Sequence, residues 1–350
     1  MDFEPSPEQR RLTELATSFA TGIAASLPKD ATGFATEAYA ALGARGHFAV
    51  RTVLDASLVV VSLSRVSTGL GATFASGWLF LDALRRHGQG ATLGAVAAGA
   101  EAGTRTGSVV LASSATEVAV SEDGGQLVLS GTTSPVPLGP LASDALVAAA
   151  LADGTPVLAC VDLSSGGVRK ATPSPSLGLE QVPRGALELG VARVPAERVL
   201  ATGAKATTAM RSLGSTRSVL WAAVAVGVAG RALDMALAHV RARSKMPQST
   251  EFVVSDLATG YDAAYLATMN AAWLCAQSDG SAAGAAGAAA KLLATRTATE
   301  VCHGALTVVG ETGYEDELRR AYVDARHLEL YDGAEAEQID VIASHMLGES

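Results

Sequence analysis

The chain has 350 residues, of which 49% are hydrophobic, 17% charged and 5% aromatic, with 36 glycines. This composition excludes a disordered or fibrous chain and predicts a globular protein of about two domains at roughly 150 residues each. The formal net charge of −9, without a dense Lys/Arg cluster, argues against a nucleic-acid partner.

A helix is expected to start at Ser6, with Ser6 as N-cap, Pro7 at the first helical position and Gln9 closing a capping box. Leu12, Leu15, Phe19 and Ile23 then share one face, and Pro28 ends the segment. Further helices are predicted near Phe34 to Leu42, Ser57 to Ser67 and Phe74 to Arg86, with Gly69 and Gly71 marking a break. Up to Thr106 the chain reads as all-α. No basic stretch followed by an apolar one opens it, so no signal peptide is expected.

From Gly107 short β-prone runs alternate with turn residues. Val118 and Val120 face Leu127 to Leu129 across Glu122-Asp123-Gly124-Gly125, which predicts a hairpin. Asp144 to Leu151 and Val157 to Leu163 flank a second turn at Ala152 to Thr155, and Leu187 to Val194 supplies another strand. The middle stretch is therefore expected to be an antiparallel β-domain.

Helical periodicity returns after Thr207, with long segments at Met210 to Ser244, Asp256 to Gln277 and Ala282 to Val309. The apolar run Ser218 to Gly230, bounded by Arg217 and Arg231, is shorter than the ~20 residues a bilayer requires and reads as a buried helix; no membrane association is expected. The glycines between Gly280 and Gly287 would suit a linker, but the Ala content and the continuation into Lys291-Leu292-Leu293 favour helix. The expected domains are thus 1–106, helical; 107–206, β; and 207–350, a helical bundle.

No GxGxxG, Walker, GxSxG or HExxH pattern is present, and no metal site is expected. Cys160, Cys275 and Cys302 are few and far apart, as in a reducing cytoplasm. Cys302 and His303 are adjacent on a helix and point apart, so packing is the better reading than shared ligation. Gly310-Glu311-Thr312-Gly313-Tyr314 follows a long helix, where it is either a C-cap and turn or a backbone approach to a phosphate. Asp332, in Tyr331-Asp332-Gly333, is either a helix N-cap or a catalytic carboxylate.

Three segments in this order resemble the acyl-CoA dehydrogenase family. They are Val191-Ala192-Arg193-Val194-Pro195-Ala196-Glu197-Arg198-Val199-Leu200, the Gly310 to Tyr314 turn, which is similar to GGxGY, and Val323-Asp324-Ala325-Arg326 with Tyr331-Asp332-Gly333, similar to RDAR…YEGT. The resemblance implies an α+β fold with an N-terminal all-α domain, a central antiparallel β-domain and a C-terminal four-helix bundle. It further implies FAD at a subunit interface and α,β-dehydrogenation of an acyl-CoA or acyl-carrier-protein thioester by a carboxylate base. Asp332 stands at the position of that base, in place of the family's Glu, with a side chain shorter by about one C–C bond of ~1.5 Å. The alternative position, near Ser215-Thr216-Arg217-Ser218, carries no carboxylate.

By the same resemblance Arg243 matches the arginine that reaches the flavin diphosphate of a neighbouring subunit, Thr307 stands where Gln is usual, and Gly310 and Gly313 form the turn. Glu311 replaces a glycine and brings negative charge towards an expected diphosphate. The TEPxxGSD segment is reduced to Thr116-Glu117, and the KxWIT strand has become Thr133-Ser134-Pro135-Val136-Pro137, whose prolines lack N–H donors. These departures resemble the smaller subunits of heteromeric actinobacterial members, which share a flavin between unlike chains. The expected assembly is a homo- or hetero-tetramer with a dehydrogenase homologue, and the alternative is a catalytically silent structural partner of an active homologue or a non-redox reuse of the fold.

Overall fold

The computed structural model describes residues 5–111, 117–243, 245, 247–277, 281–311 and 317–348. The N-terminal helices are α1 (Pro7–Ile23), α2 (Ala31–Ala44), α3 (Val53–Val66), α4 (Thr68–His87) and α5 (Gly90–Glu101). Helix α1 begins as its sequence dictates: Ser6 Oγ accepts from the Gln9 N–H and Gln9 Oε1 from the Ser6 N–H. Helix α5 was not anticipated. Its Ala and Gly residues leave almost no amphipathic signal, and only Leu93, Val96 and Ala100 are buried.

Gly69 and Gly71 do not break the chain as expected; both lie inside α4, which is buried along nearly its whole length. They are there because neighbours come too close for a side chain. A Cβ on Gly71 would stand 1.8 Å from Ser64 Oγ and 3.0 Å from the Ser64 nitrogen. Gly71→Val should therefore lower the unfolding free energy by about 3 kcal/mol through overpacking, read from urea denaturation. An unchanged midpoint would mean that α3 and α4 separate more easily than their packing indicates.

The sheet strands are β1 (Gly107–Val110), β2 (Glu117–Asp123), β3 (Gln126–Thr132), β4 (Val136–Pro137), β5 (Asp144–Leu151), β6 (Pro156–Asp162), β7 (Val168–Lys170), β8 (Arg184–Gly185), β9 (Leu187–Val194) and β10 (Val199–Thr202). Among the described residues the main sheet runs β10-β6-β5-β2-β3-β9-β7, with β1 also on β5, while β4 and β8 form a separate pair. The hairpin β2–β3 turns at Gly124 and Gly125, both at positive φ (58° and 78°), as a two-residue loop between right-twisted strands requires. The ladders are mostly antiparallel, but β5 pairs in parallel with β1 and with β2, which the expectation of a purely antiparallel domain did not include. Those strands are far enough apart in sequence to allow a crossover. Val120, Leu129, Val147, Ala159, Leu189 and Ala192 lie in the core of this sheet.

The C-terminal helices are α6 (Gly203–Arg241), α7 (Gln248–Gln277), α8 (Ser281–Val309), α9 (Glu317–Leu328) and α10 (Glu335–Leu347). Helix α6 starts at Gly203, ahead of the expected boundary at 207, and the Ala-rich stretch is helix α8 rather than a linker. By length and composition α6 could cross a membrane, yet 83% of its most apolar window is buried inside the protein. Glycines seat α8 against its neighbours: Gly287 faces Ser215 of α6 and Gly304 faces Leu257 of α7. Since α7 reverses between them, α6 and α8 run parallel, and the 39-residue α6 also packs on α3 and α4 of the N-terminal domain. It is the axis on which the helical domains meet.

Candidate functional site

Asp332 lies in the bend between α9 and α10, where Asp332 (φ 47°) and Gly333 (φ 102°) both adopt left-handed backbone. A carboxylate side chain tolerates that conformation better than most, and Gly333 has a second reason to be glycine. A Cβ there would sit 3.1 Å from Arg217 Nη2 and 3.3 Å from Lys291 Nζ. The N-cap of α10 is Ala334, without a side-chain bond, so Asp332 is not the cap.

Four side chains converge on this bend. Lys291 of α8, 2% exposed, donates from Nζ to the Tyr331 carbonyl at 2.8 Å, to the Asp332 carbonyl at 2.9 Å and to the Gly333 carbonyl. Trp221 Nε1 of α6 donates to Asp332 Oδ2 at 2.7 Å. Arg217, one turn earlier on the same face, places Nη1 3.7 Å from Asp332 Oδ1 and pairs through Nη2 with Glu337 of α10. Ser218 Oγ bonds Gln338 Oε1 at 2.9 Å. Tyr331 is fully buried, edge-on to Trp221 at 4.6 Å and beneath the Arg184 guanidinium at 4.5 Å.

The electrostatics follow from burial. Desolvation, reinforced by Arg217, lowers the Lys291 ammonium from its usual 10.5 to about 7, opposed by Asp332 and Glu337. Burial also pushes the Tyr331 hydroxyl up and lowers the His327 imidazole, the latter helped by Arg184. The space in front of Asp332 is bounded by α4 (Ala75, Ser76, Leu79), β1 (Val109), β4 (Pro137) and α6 (Arg217, Leu220, Trp221), and amounts to about 10 Å³. That is no more than a single water requires.

The other anticipated residues lie elsewhere. Arg243 is exposed just beyond α6, and Thr307, exposed near the end of α8, donates to the His303 carbonyl at 3.1 Å. Gly310 closes α8 as a left-handed C-cap at φ 78°, its N–H on the Leu306 carbonyl at 2.8 Å, with open space where a Cβ would stand. Because α6 and α8 are parallel, these three share one end of the bundle. Sixteen residues of α8 separate Lys291 from Thr307, or about 24 Å at ~1.5 Å per residue. Gly313, and the Thr116 of the expected ring-contact segment, lie outside the described residues.

Three places bear on whether the chain fits FAD. Beside Asp332 an isoalloxazine ring does not fit the 10 Å³ left by the described residues. On the β-domain, the Thr133 hydroxyl is already spent, accepting from the Leu187 N–H and donating to the Ser134 carbonyl, each within 3.0 Å. The outer end offers an anionic group exposed Arg243 and the unobstructed Gly310 turn, against which the exposed Glu311 carboxylate beside Gly310 works. Among the described residues no cluster of three metal-ligating side chains occurs, and Cys302 is buried while His303 is exposed.

Sequence reasoning anticipated Asp332 but missed Trp221 and Lys291. Each carried a signal: a tryptophan inside an otherwise small-residue run, and a lysine closing the uncharged Ala/Gly stretch 281–290 of α8.

Helices, sheet and bundle in this arrangement form the acyl-CoA dehydrogenase fold. The butyryl-CoA dehydrogenase of Megasphaera elsdenii superposes with a TM-score of 0.88 at 20% identity over 99% of this chain and 100% of that one. A chain of the ChsE4–ChsE5 complex from Mycobacterium tuberculosis superposes with a TM-score of 0.85 at 23% identity, with both chains fully covered. Residues 206–347 match the family model "Acyl-CoA dehydrogenase, C-terminal domain". Among curated proteins, cyclohex-1-ene-1-carbonyl-CoA dehydrogenase of Geobacter metallireducens is 36% identical over 149 residues, 40% of this chain and 39% of that relative. The short-chain specific acyl-CoA dehydrogenase of Bos taurus mitochondria is 33% identical over 164 residues, 44% of this chain and 39% of its own length. The aligned stretch thus spans well under half of either relative. Residues 206–347 thus match the C-terminal domain of the acyl-CoA dehydrogenase family, and the chain as a whole has that family's fold.

Proposed function

We propose that this chain is a subunit of an acyl-CoA dehydrogenase-type assembly, joined to a homologue that carries the flavin, and that the assembly oxidises an acyl thioester of CoA or a carrier protein. The observation that carries this reading is the separation of the two groups of residues. Arg243, Thr307 and Gly310 lie at one end of the bundle, with Thr307 about 24 Å by helix rise (~1.5 Å per residue) from Lys291 beside Asp332, which supports reading them as contacts to a neighbour's cofactor. A fold neighbour named as a two-component complex is consistent with this, as is a curated relative described as a subunit of a caffeyl-CoA reductase–Etf complex. FAD supplies the redox chemistry when the assembly holds it; this chain supplies Arg243, the Gly310 turn and the buried bundle behind them. A cytoplasmic location belongs to the same proposal, supported by three buried free thiols.

Visible absorption tests it. Purified alone, the chain is expected to be colourless; co-purified with its dehydrogenase homologue, the complex is expected to be yellow, and Arg243→Ala should lower its flavin content. A yellow protein obtained from this chain alone would refute the shared-site reading, and a colourless complex would remove the redox role.

A further inference from the structure

The residues around Asp332 fill the chain's own cleft, and where the thioester chemistry then takes place rests on the assembly proposed above. Among the described residues Asp332 is the one carboxylate at the meeting point of α4, β1, β4 and α6, which is where an acyl thioester would have to lie to present a proton to it. A base must be within about 2.6–3.2 Å of the atom it deprotonates. Here one of its oxygens is already engaged by the chain itself: the indole N–H of Trp221 lies 2.7 Å from Oδ2, while the Arg217 guanidinium stands 3.7 Å from Oδ1 as a charge neighbour rather than a hydrogen-bond donor.

The plug is also held from behind. Tyr331 packs edge-on to the indole at 4.6 Å, Arg184 covers the Tyr331 ring at 4.5 Å, and Lys291 fixes the backbone of Tyr331, Asp332 and Gly333 through their carbonyls. Trp221 itself is 2% exposed. A side chain buried to this degree, with its one donor satisfied, has no alternative polar partner to move to without leaving both the indole N–H and a carboxylate oxygen unpaired.

We infer that Trp221 is an internal plug, pinned by Asp332, which occupies the place of a substrate in this chain's own cleft. Asp332 is then a positioning residue for the indole, and thioester chemistry belongs to a different cleft of the assembly.

The test uses the full-length chain and needs no partner. Trp221→Gly should leave a ring-sized void, lined on one side by Asp332 and Arg217, that takes up indole with its N–H on the carboxylate. Added indole should raise the melting temperature of the variant by about 2 °C at ten times its dissociation constant and leave the wild-type chain unchanged. Should the glycine variant fail to fold, Trp221→Leu with benzene makes the same measurement with a smaller void. In parallel, acetoacetyl-CoA is titrated to about 1 mM against the wild-type chain while tryptophan emission is followed, with Trp221→Phe as reference. No saturable change assigned to Trp221 is expected. Two results would overturn the inference: a saturable quench that disappears in Trp221→Phe, which would show that a thioester reaches the indole, or a folded glycine or leucine variant that gains nothing from the aromatic probe.

Discussion

Lys291→Met is expected to reduce the unfolding free energy by on the order of 3 kcal/mol at neutral pH, because three inward-facing carbonyls lose their donor. Of the described groups only Gln338 Nε2 also reaches one of them, the Gly333 carbonyl at 3.4 Å. Relief of lysine desolvation offsets part of the loss, which is why the figure stays below the sum of three unmade bonds. The pH dependence separates the two contributions. Since burial holds the folded-state value at about 7 against an ordinary 10.5, the unfolded chain carries a proton across that window that the folded chain has released. Stability of the wild-type chain should therefore rise with pH from about 7 towards 10.5, by at most about 1.4 kcal/mol per unit, and Lys291→Met should lack that slope. Urea denaturation at several pH values measures both effects; parallel curves for the two proteins would show that the lysine does not release its proton on folding.

Asp144→Ala is expected to cost about 3–5 kcal/mol by the same measurement. Asp144 is wholly buried at the start of β5 and holds two arginines: Arg105 Nη2 at 2.7 Å on Oδ2 and Arg198 Nη1 at 3.0 Å on Oδ1. Arg105 lies in the link between α5 and β1, and Arg198 lies between β9 and β10, so one carboxylate ties the N-terminal helices to two parts of the sheet. Its removal leaves Arg198, whose side chain is only 12% exposed, with Asp162 at 3.5 Å as its remaining acid partner. A loss below about 1 kcal/mol would mean that the arginines swing to solvent and that the junction is held by packing alone.

Both positions bear on function because they set the space in front of Asp332. Val109 of β1 lines that space and Asp144 is in register with Gly107 of the same strand, so the junction that Asp144 anchors forms one wall. Lys291 forms the floor through the carbonyls of the bend. Stability and closure of the cleft are thus properties of the same contacts.

Much of the local structure was legible in the chain. The capping box at Ser6 and Gln9, the Gly124-Gly125 turn and the apolar run of β5 are short-range signals, and each element formed where its residues required. Gly69 and Gly71 misled because glycine in a sequence does not distinguish a turn from a helix pressed against another element; only the 1.8 Å approach of Ser64 Oγ does. Helix α5 was missed because Ala and Gly carry almost no periodicity. The parallel pairings of β5 depend on which strands a crossover brings together, and no local pattern encodes that.

The sequence by itself determined the order of helices, sheet and bundle, through hydrophobic period, caps and turn residues, and the motifs around Gly310 and Asp332 pointed to the family. Tertiary structure alone decided what those motifs do. Trp221, Lys291 and Asp332 are separated by 70 and 41 positions in the chain, and neither composition nor periodicity relates them. Their meeting, at 2.7 Å between indole and carboxylate and 2.9 Å between ammonium and the Asp332 carbonyl, is set by how α6 and α8 pack in parallel against the α9–α10 bend. Whether a carboxylate is a free base or a structural anchor depends on what fills the space beside it, and only the packed fold defines that space.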